Sequence, residues 1–205
     1  MEIILKDIGK RYLYEWIFKK IDFHFQPQHR YAILGNNGSG KSTFLKILSG
    51  HLSPTKGTVQ HQHHQQAFDK DDLYQHISFA APYIDLIEEF TLEEAIRFHQ
   101  RFKNFRKNLT TENFLELIEL QHATKKEIRF FSSGMKQRLK LGLAICSDTT
   151  LLLLDEPTSN LDEKSIAWYN EFLNQFVDDR LVIIASNEKR DIANCSKHLD
   201  ITNYK

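Results

Sequence analysis

No apolar run in this chain approaches the roughly 20 residues needed to cross a bilayer, and the charged start Met1-Glu2-Ile3-Ile4-Leu5-Lys6-Asp7 holds no signal-peptide core. The chain is therefore expected to be soluble and cytoplasmic. Cysteine is nearly absent: Cys146 and Cys195 are the only two, which excludes a disulfide framework and a metal quartet of thiolates. Cys146 lies in the apolar segment 139–146, where a small core side chain is expected. Net charge is missing too. With 27 acidic and 27 basic residues, the overall balance carries no nucleic-acid footprint, and no nucleic-acid partner is expected. Internal repeats and Gly/Ser linkers are also lacking, so the 205 residues read as one α/β domain with room for a small inserted lobe.

What is present alternates between strand and helix signals. Glu2 to Ile8 and Trp16 to Phe25 show period-two alternation with aromatic content and read as antiparallel strands joined through Gly9 to Tyr14. Ser49 to Gly57 carries helix-stop and turn residues, and Thr58-Val59-Gln60 is extended again. The tract from Gln60 to Gln66 is rich in histidine. His61 and His63 share one strand face, but no cysteine or carboxylate stands within the tract to complete a metal site, so a polar exposed strand or turn is expected. A short strand follows at His76 to Ala81, ended by Pro82. From Thr91 the pattern becomes helical: Leu92, Ala95, Ile96 and Phe98, then Phe114, Leu115, Leu117, Ile118 and Leu120, recur at helical spacing. Its basic run from Arg101 to Lys107 reads as a solvated face. Leu151-Leu152-Leu153-Leu154 and Leu181 to Ala185 are continuous apolar strands, buried on both faces as in a parallel sheet. Ser165 to Phe176 and Glu188 to Cys195 are expected to be helices, and His198 to Thr202 a closing edge strand.

The densest chemistry lies at Gly35-Asn36-Asn37-Gly38-Ser39-Gly40-Lys41-Ser42-Thr43, which satisfies G-x-x-x-x-G-K-[ST] between the apolar strand Tyr31 to Leu34 and the helical Phe44 to Leu48. The glycines let successive N–H groups turn toward a phosphate, Lys41 reaches its outer phosphates, and the Ser42 hydroxyl can ligate Mg²⁺. The helix that starts here adds its positive end. Asp155-Glu156 follows the strand 151–154, at the edge where open α/β sheets bind ligands. Asp155 can share the Mg²⁺ with Ser42, and Glu156 can orient or deprotonate an attacking water.

Phe131-Ser132-Ser133-Gly134-Met135-Lys136-Gln137-Arg138 precedes that strand, and with it the chain resembles the ATP-binding cassette family along its whole length. The segment is similar to the family's signature motif, Ser159-Asn160-Leu161-Asp162 looks like its D-loop, and Tyr12 sits where its adenine-stacking aromatic is found. The resemblance implies a P-loop NTPase core with a mostly parallel sheet, an N-terminal antiparallel β subdomain and an inserted helical subdomain. It places the core at 1–81 and 146–205 and the helical subdomain at 83–145. It further implies ATP and Mg²⁺ as ligands, and a head-to-tail dimer with itself or a related cassette. In that dimer Ser132, Ser133 and Gly134 of one subunit meet the γ-phosphate held by Lys41 of the other. Serine at a helix start is also what an ordinary N-cap needs.

Two positions depart from the family pattern. Pro82 stands where a glutamine is usual, and Asn187, after the strand 181–185, where a histidine is usual. Pro82 offers Mg²⁺ no side-chain ligand, and Asn187 can hydrogen-bond the γ-phosphate without carrying charge. Weak hydrolysis is therefore one expectation. The leading expectation is the ATP-hydrolysing subunit of a membrane transporter, working on an integral membrane partner and held through it at the inner face of the membrane. The alternative is a degenerate regulatory module that binds ATP and hydrolyses little. A small-molecule kinase would share the phosphate loop but has no use for the signature segment.

Overall fold

The structure, a computed structural model, describes residues 1–63, 66–69 and 71–205. The chain folds as two compact units, residues 1–79, 150–156 and 179–205 in the first and residues 80–149 and 157–178 in the second.

In the first unit, strands β1 (Glu2–Tyr12) and β2 (Glu15–Phe25) form an antiparallel hairpin through a two-residue turn. Tyr12 thus ends a strand rather than lying on a longer connection, because Lys10, Arg11 and Tyr12 still pair with Phe18, Trp16 and Glu15 of β2. Then come β3 (Arg30–Leu34), helix α1 (Lys41–Leu48), β4 (Lys56–His63), β5 (Gln66–Ala67) and β6 (Ile77–Ala80). The remaining strands of the unit are β7 (Leu151–Asp155), β8 (Leu181–Ala185) and β9 (Lys197–Asp200). One sheet has the order β2-β1-β4-β5 and the other β6-β7-β8-β3-β9. In the second sheet β7 pairs with β8, β8 with β3 and β3 with β9, all parallel. Parallel strands need cover on both faces, and β7 and β8 are buried at every residue, as their unbroken apolar runs require. One apolar core joins the sheets: Ile3, Phe18 and Phe25 of the hairpin pack in a single cluster with Ile33, Phe44, Leu153 and Ile183. Phe18 meets Phe44 edge-on at 5.6 Å between ring centres.

β4 runs through the first part of the histidine tract; His64 and Gln65 lie outside the described residues. His61 is half-buried and its Nε2 hydrogen-bonds the Leu48 carbonyl at 2.7 Å, so this ring closes the C-terminal end of α1. Burial pushes its pKa below the ordinary histidine value. Among the described residues, no group of three or more His, Cys, Asp and Glu stands close enough to hold a metal. The helix expected at 188–195 shrinks to four residues, Lys189–Ile192. The Ser196 N–H must already donate to the Arg30 carbonyl at 3.1 Å for β9 to pair with β3, and that turn stops the helix.

The second unit is helical: α2 (Leu92–Gln100), α3 (Thr111–Leu117), α4 (Ser133–Cys146) and α5 (Glu163–Phe176), the short Lys189–Ile192 helix of the first unit being α6. A side-chain oxygen caps each of the four, from Thr91, Thr110, Ser132 and Asp162 in turn. Phe98, expected on the apolar stripe of α2, is exposed beside Phe90 and Phe102. Leu92, Ala95 and Ile96 form the buried stripe, and Phe98 lies about 200° round the helix from Ile96. The basic run is only partly solvated, since Lys107 Nζ donates to the Gln175 carbonyl at 2.6 Å. Sequence places 146–205 in the core, whereas 157–178 folds with the helical segment. Trp168 of α5 donates its indole N–H to the Leu117 carbonyl at 2.7 Å, a tie between two elements of this unit. Among the described residues no helix is long and apolar enough to cross a membrane.

Candidate functional site

The loop between β3 and α1 is built by glycine. Gly40 has φ 104°, and a Cβ there would sit 2.4 Å from Ile17 Cγ2, so both backbone angle and space demand glycine. Gly35 has φ 142°, and its Cβ would stand 2.6 Å from Ser39 Oγ. No acidic residue occupies the first turn of α1, which leaves the positive end of that helix uncompensated. Asn36, Asn37 and Gly38 are exposed around it, Ser42 and Thr43 half-buried, and a Cβ on Gly38 would meet nothing within 4 Å.

Lys41 is 5% exposed, yet its ammonium finds three acceptors: the Gly35 carbonyl at 2.7 Å, the Asn36 carbonyl at 3.3 Å and Asn187 Oδ1 at 3.1 Å. Burial lowers its pKa, and the carboxylates of Glu156 and Asp155 pull it back up. That coupling places both carboxylates in reach of the ammonium's field. The chain order explains why: β3, β8 and β7 are parallel neighbours, so Gly35, Ser186 and Glu156 all leave the sheet at one edge.

Asp155 is the last, fully buried residue of β7. Glu156 follows at φ 44°, a left-handed backbone that costs a non-glycine residue about 1–2 kcal/mol, held by its N–H donating to the Ala185 carbonyl at 2.8 Å. Asn187 is joined to the loop from both ends of its amide. Oδ1 accepts from Lys41, while Nδ2 donates to Asn37 Oδ1 at 2.6 Å, although 150 residues separate the two asparagines.

Sequence reasoning missed what steadies Asn187. The buried Ser186 Oγ donates to Asp191 Oδ2 at 2.5 Å and accepts from the Glu188 N–H at 3.0 Å, so the turn after β8 is tied at its base. Only a serine just past a buried strand hinted at it. Tyr12 is 49% exposed at the end of β1, with Lys10 Nζ 5.2 Å from its ring centre. A half-open aromatic face of this kind can stack on a flat ring.

The helical unit holds the remaining expected residues. Ser132 is the N-cap of α4 and accepts from the Met135 N–H at 3.2 Å; the helix starts at Ser133. Ser133 and Gly134 therefore form its first turn, with N–H groups free of intrahelical partners. Asp162 caps α5 by accepting from the Ser165 N–H at 2.9 Å, and this bonding holds its carboxyl below the usual range. Pro82 is exposed, and its carbonyl accepts from Lys140 Nζ at 3.1 Å.

Residues 18–159 match the family model of the ABC transporter. The chain belongs to the ABC transporter family. Among ABC relatives it is 28% identical to the bacitracin transport ATP-binding protein BcrA of Bacillus licheniformis, over 98% of this chain and 67% of that one. With the uncharacterized ABC transporter ATP-binding protein YybJ of Bacillus subtilis, identity is 31% over 86% of this chain and 81% of the relative. The chain spans about half, 52%, of a third relative, the uncharacterized ABC transporter ATP-binding protein YcbN of Bacillus subtilis, at 29% identity over 78% of this chain. A solved ATP-binding subunit of an ABC transporter superposes with a TM-score of 0.83 at 21% identity, covering 98% of this chain and 85% of its own. An ATP-bound bacterial Atm1-family ABC exporter gives 0.80 at 19% identity, over 97% of this chain and 37% of the exporter. At such identities these structures speak for the fold: the P-loop NTPase fold of ABC ATPase domains.

Proposed function

We propose that this chain is the ATP-binding and ATP-hydrolysing cassette of a membrane transporter, driving an integral membrane subunit through ATP-dependent dimer closure. One observation carries the reading: a buried lysine, two carboxylates and an asparagine amide converge where three adjacent parallel strands end, beside the start of a helix. The residues fit ATP and Mg²⁺. Burial already disfavours the Lys41 charge, and a phosphate in place of the Gly35 and Asn36 carbonyls would neutralise it. Ser39 Oγ, buried without a hydrogen-bond partner among the described residues, gives the loop a further unspent polar group.

In this reading the N–H groups of residues 35–43 wrap the phosphates, Lys41 turns to the β- and γ-phosphates, and Tyr12 stacks on adenine. Ser42 and Asp155 hold the metal. When bound, Mg²⁺ neutralises charge that grows on the phosphate oxygens. Glu156 orients the water and accepts its proton, an effect commonly worth about 10²–10⁴ in rate. Asn187 donates to the γ-phosphate, exchanging its bond to Asn37 for that contact. Ser132, Ser133 and Gly134 approach from a second copy or a related cassette, with Asp162 beside them. The chain then sits at the inner face of the membrane through its membrane partner.

Calorimetric titration with Mg-ATP, paired with a phosphate-release assay, tests the proposal. Wild type should bind and hydrolyse, whereas Lys41→Ala should lose on the order of a hundredfold in affinity, the worth of one or two charge-assisted phosphate bonds. Unchanged affinity in Lys41→Ala would sink the phosphate-loop assignment. Binding without hydrolysis by wild type would instead mark a regulatory cassette.

A further inference from the structure

Gln137 has no part in the nucleotide site proposed for this chain. It is a polar side chain inside α4, only 5% exposed, and its Nε2 donates to the Pro157 carbonyl at 2.8 Å. A buried amide costs free energy unless its hydrogen bonds are made, and an apolar residue would fill the space without that risk. Pro157 directly follows Glu156 in the chain.

The next residue grips the other end of the same segment. Arg138 donates to Glu119 at 2.5 Å and to Ser165 Oγ at 3.0 Å, and its guanidinium lies 4.6 Å from the Trp168 ring centre. Ser165 is also the residue whose N–H is capped by Asp162. Successive helix positions point about 100° apart, so two neighbouring side chains reach two separate points. Between those points, the Asn160 carbonyl would stand 4.0 Å from a Cβ built on Gly134. Ser132, Gly134, Asn160 and Asp162 line one recess of about 350 Å³ together with Arg138.

We infer that Gln137 and Arg138 are positioning residues that lock segment 157–165 to α4, so that the signature serines and the Asp162 loop meet nucleotide in a second copy as one piece. The inference rests on the cassette reading. Neither residue belongs to the phosphate loop, so they act on turnover and dimer closure and leave the first capture of ATP alone.

Gln137→Met keeps the length of the side chain and removes the donor. Its kcat should fall at least tenfold with KM for ATP within threefold of wild type. Hydrogen exchange of amides 158–165 should quicken at least tenfold while amides 41–48 keep their rates. Arg138→Lys keeps the charge but loses the planar fork, and should shift both readouts in the same direction; it carries the test if Gln137→Met folds poorly. Wild-type turnover in a folded variant, or unchanged exchange across 158–165, overturns the inference. So does a parallel loss of ATP affinity, the mark of a merely structural residue. Failure of wild type to bind or hydrolyse ATP would overturn the cassette reading instead, and the exchange experiment would still decide the lock.

Discussion

His99 shows how far a single side chain can be moved from its solution chemistry. Its Nε2 lies 2.7 Å from Ser147 Oγ, whose own proton goes to the Leu143 carbonyl at 2.6 Å. The serine must therefore accept, and the imidazole is the neutral form with its proton on Nε2. Burial, with Lys103 adding a like charge, pushes the pKa from 6.5 down to about 4. Between those values the unfolded chain binds more protons than the folded one, so the contribution is full above pH 6.5 and is lost as pH falls toward 4. At pH 5 that loss is about 2 kcal/mol. His99→Gln keeps the donor and cannot titrate there. Urea unfolding at pH 7.5 and pH 5 should show a smaller drop for the variant than for wild type; equal drops would mean that the ring is protonated in the fold. Glu156 is a second residue moved from the ordinary, since its left-handed backbone is visible in no motif.

At the scale of elements, α4 does two jobs along one sequence. Its first turn presents Ser133 and Gly134, while its last six residues, Leu141 to Cys146, are all buried. Gly142 lets that buried half approach α3 and its flank: a Cβ there would stand 2.5 Å from Ile118 Cγ2 and 3.1 Å from Phe114 Cζ. Alanine would gain about 1 kcal/mol of helix propensity, but both neighbours are fully buried and Ile118 is branched at Cβ. Overpacking of this kind costs about 1–3 kcal/mol. Gly142→Ala should therefore be net destabilised, by about 1 kcal/mol, read as a lower urea midpoint with an unchanged slope. A raised midpoint would mean that α3 yields freely. The two helices expected after 163 differ in outcome for a related reason: α5 runs its full length on its own apolar face, whereas α6 is cut short by the demands of β9.

For the whole molecule, the chain passes between its two units at 79–80, 149–150, 156–157 and 178–179. Phosphate loop and carboxylates fall in the first unit, and the signature serines and Asp162 in the second. Glu156 is the last residue before one crossing. Under the proposed function, a site completed by a second copy predicts ATP-dependent association. Glu156→Gln keeps the shape and hydrogen-bonding reach of the side chain but loses the charge that activates water. With saturating Mg-ATP this variant should accumulate as dimers in light scattering and return to monomers when ATP is removed. Monomers throughout would point to a different cassette as the obligatory partner.

Sequence alone determined the phosphate loop, the buried strands ending at Leu34, Asp155 and Ala185, and the serine that starts α4. Each of these is a local matter: a glycine that must take positive φ, an apolar run that must be covered, a cap that must satisfy the N–H group three residues on. Only the tertiary structure decided that the Asn187 amide bridges Lys41 and Asn37, that Ser186 and Asp191 hold that turn, and that Gln137 and Arg138 clasp the two ends of segment 157–165. It also decided that α5 groups with the helical unit and that Phe98 faces outward. Hydrogen bonds between residues 20 to 150 positions apart leave no period in the sequence. They arise because parallel strands bring distant chain segments to one edge, and because a helix that turns about 100° per residue sets neighbouring side chains against different partners.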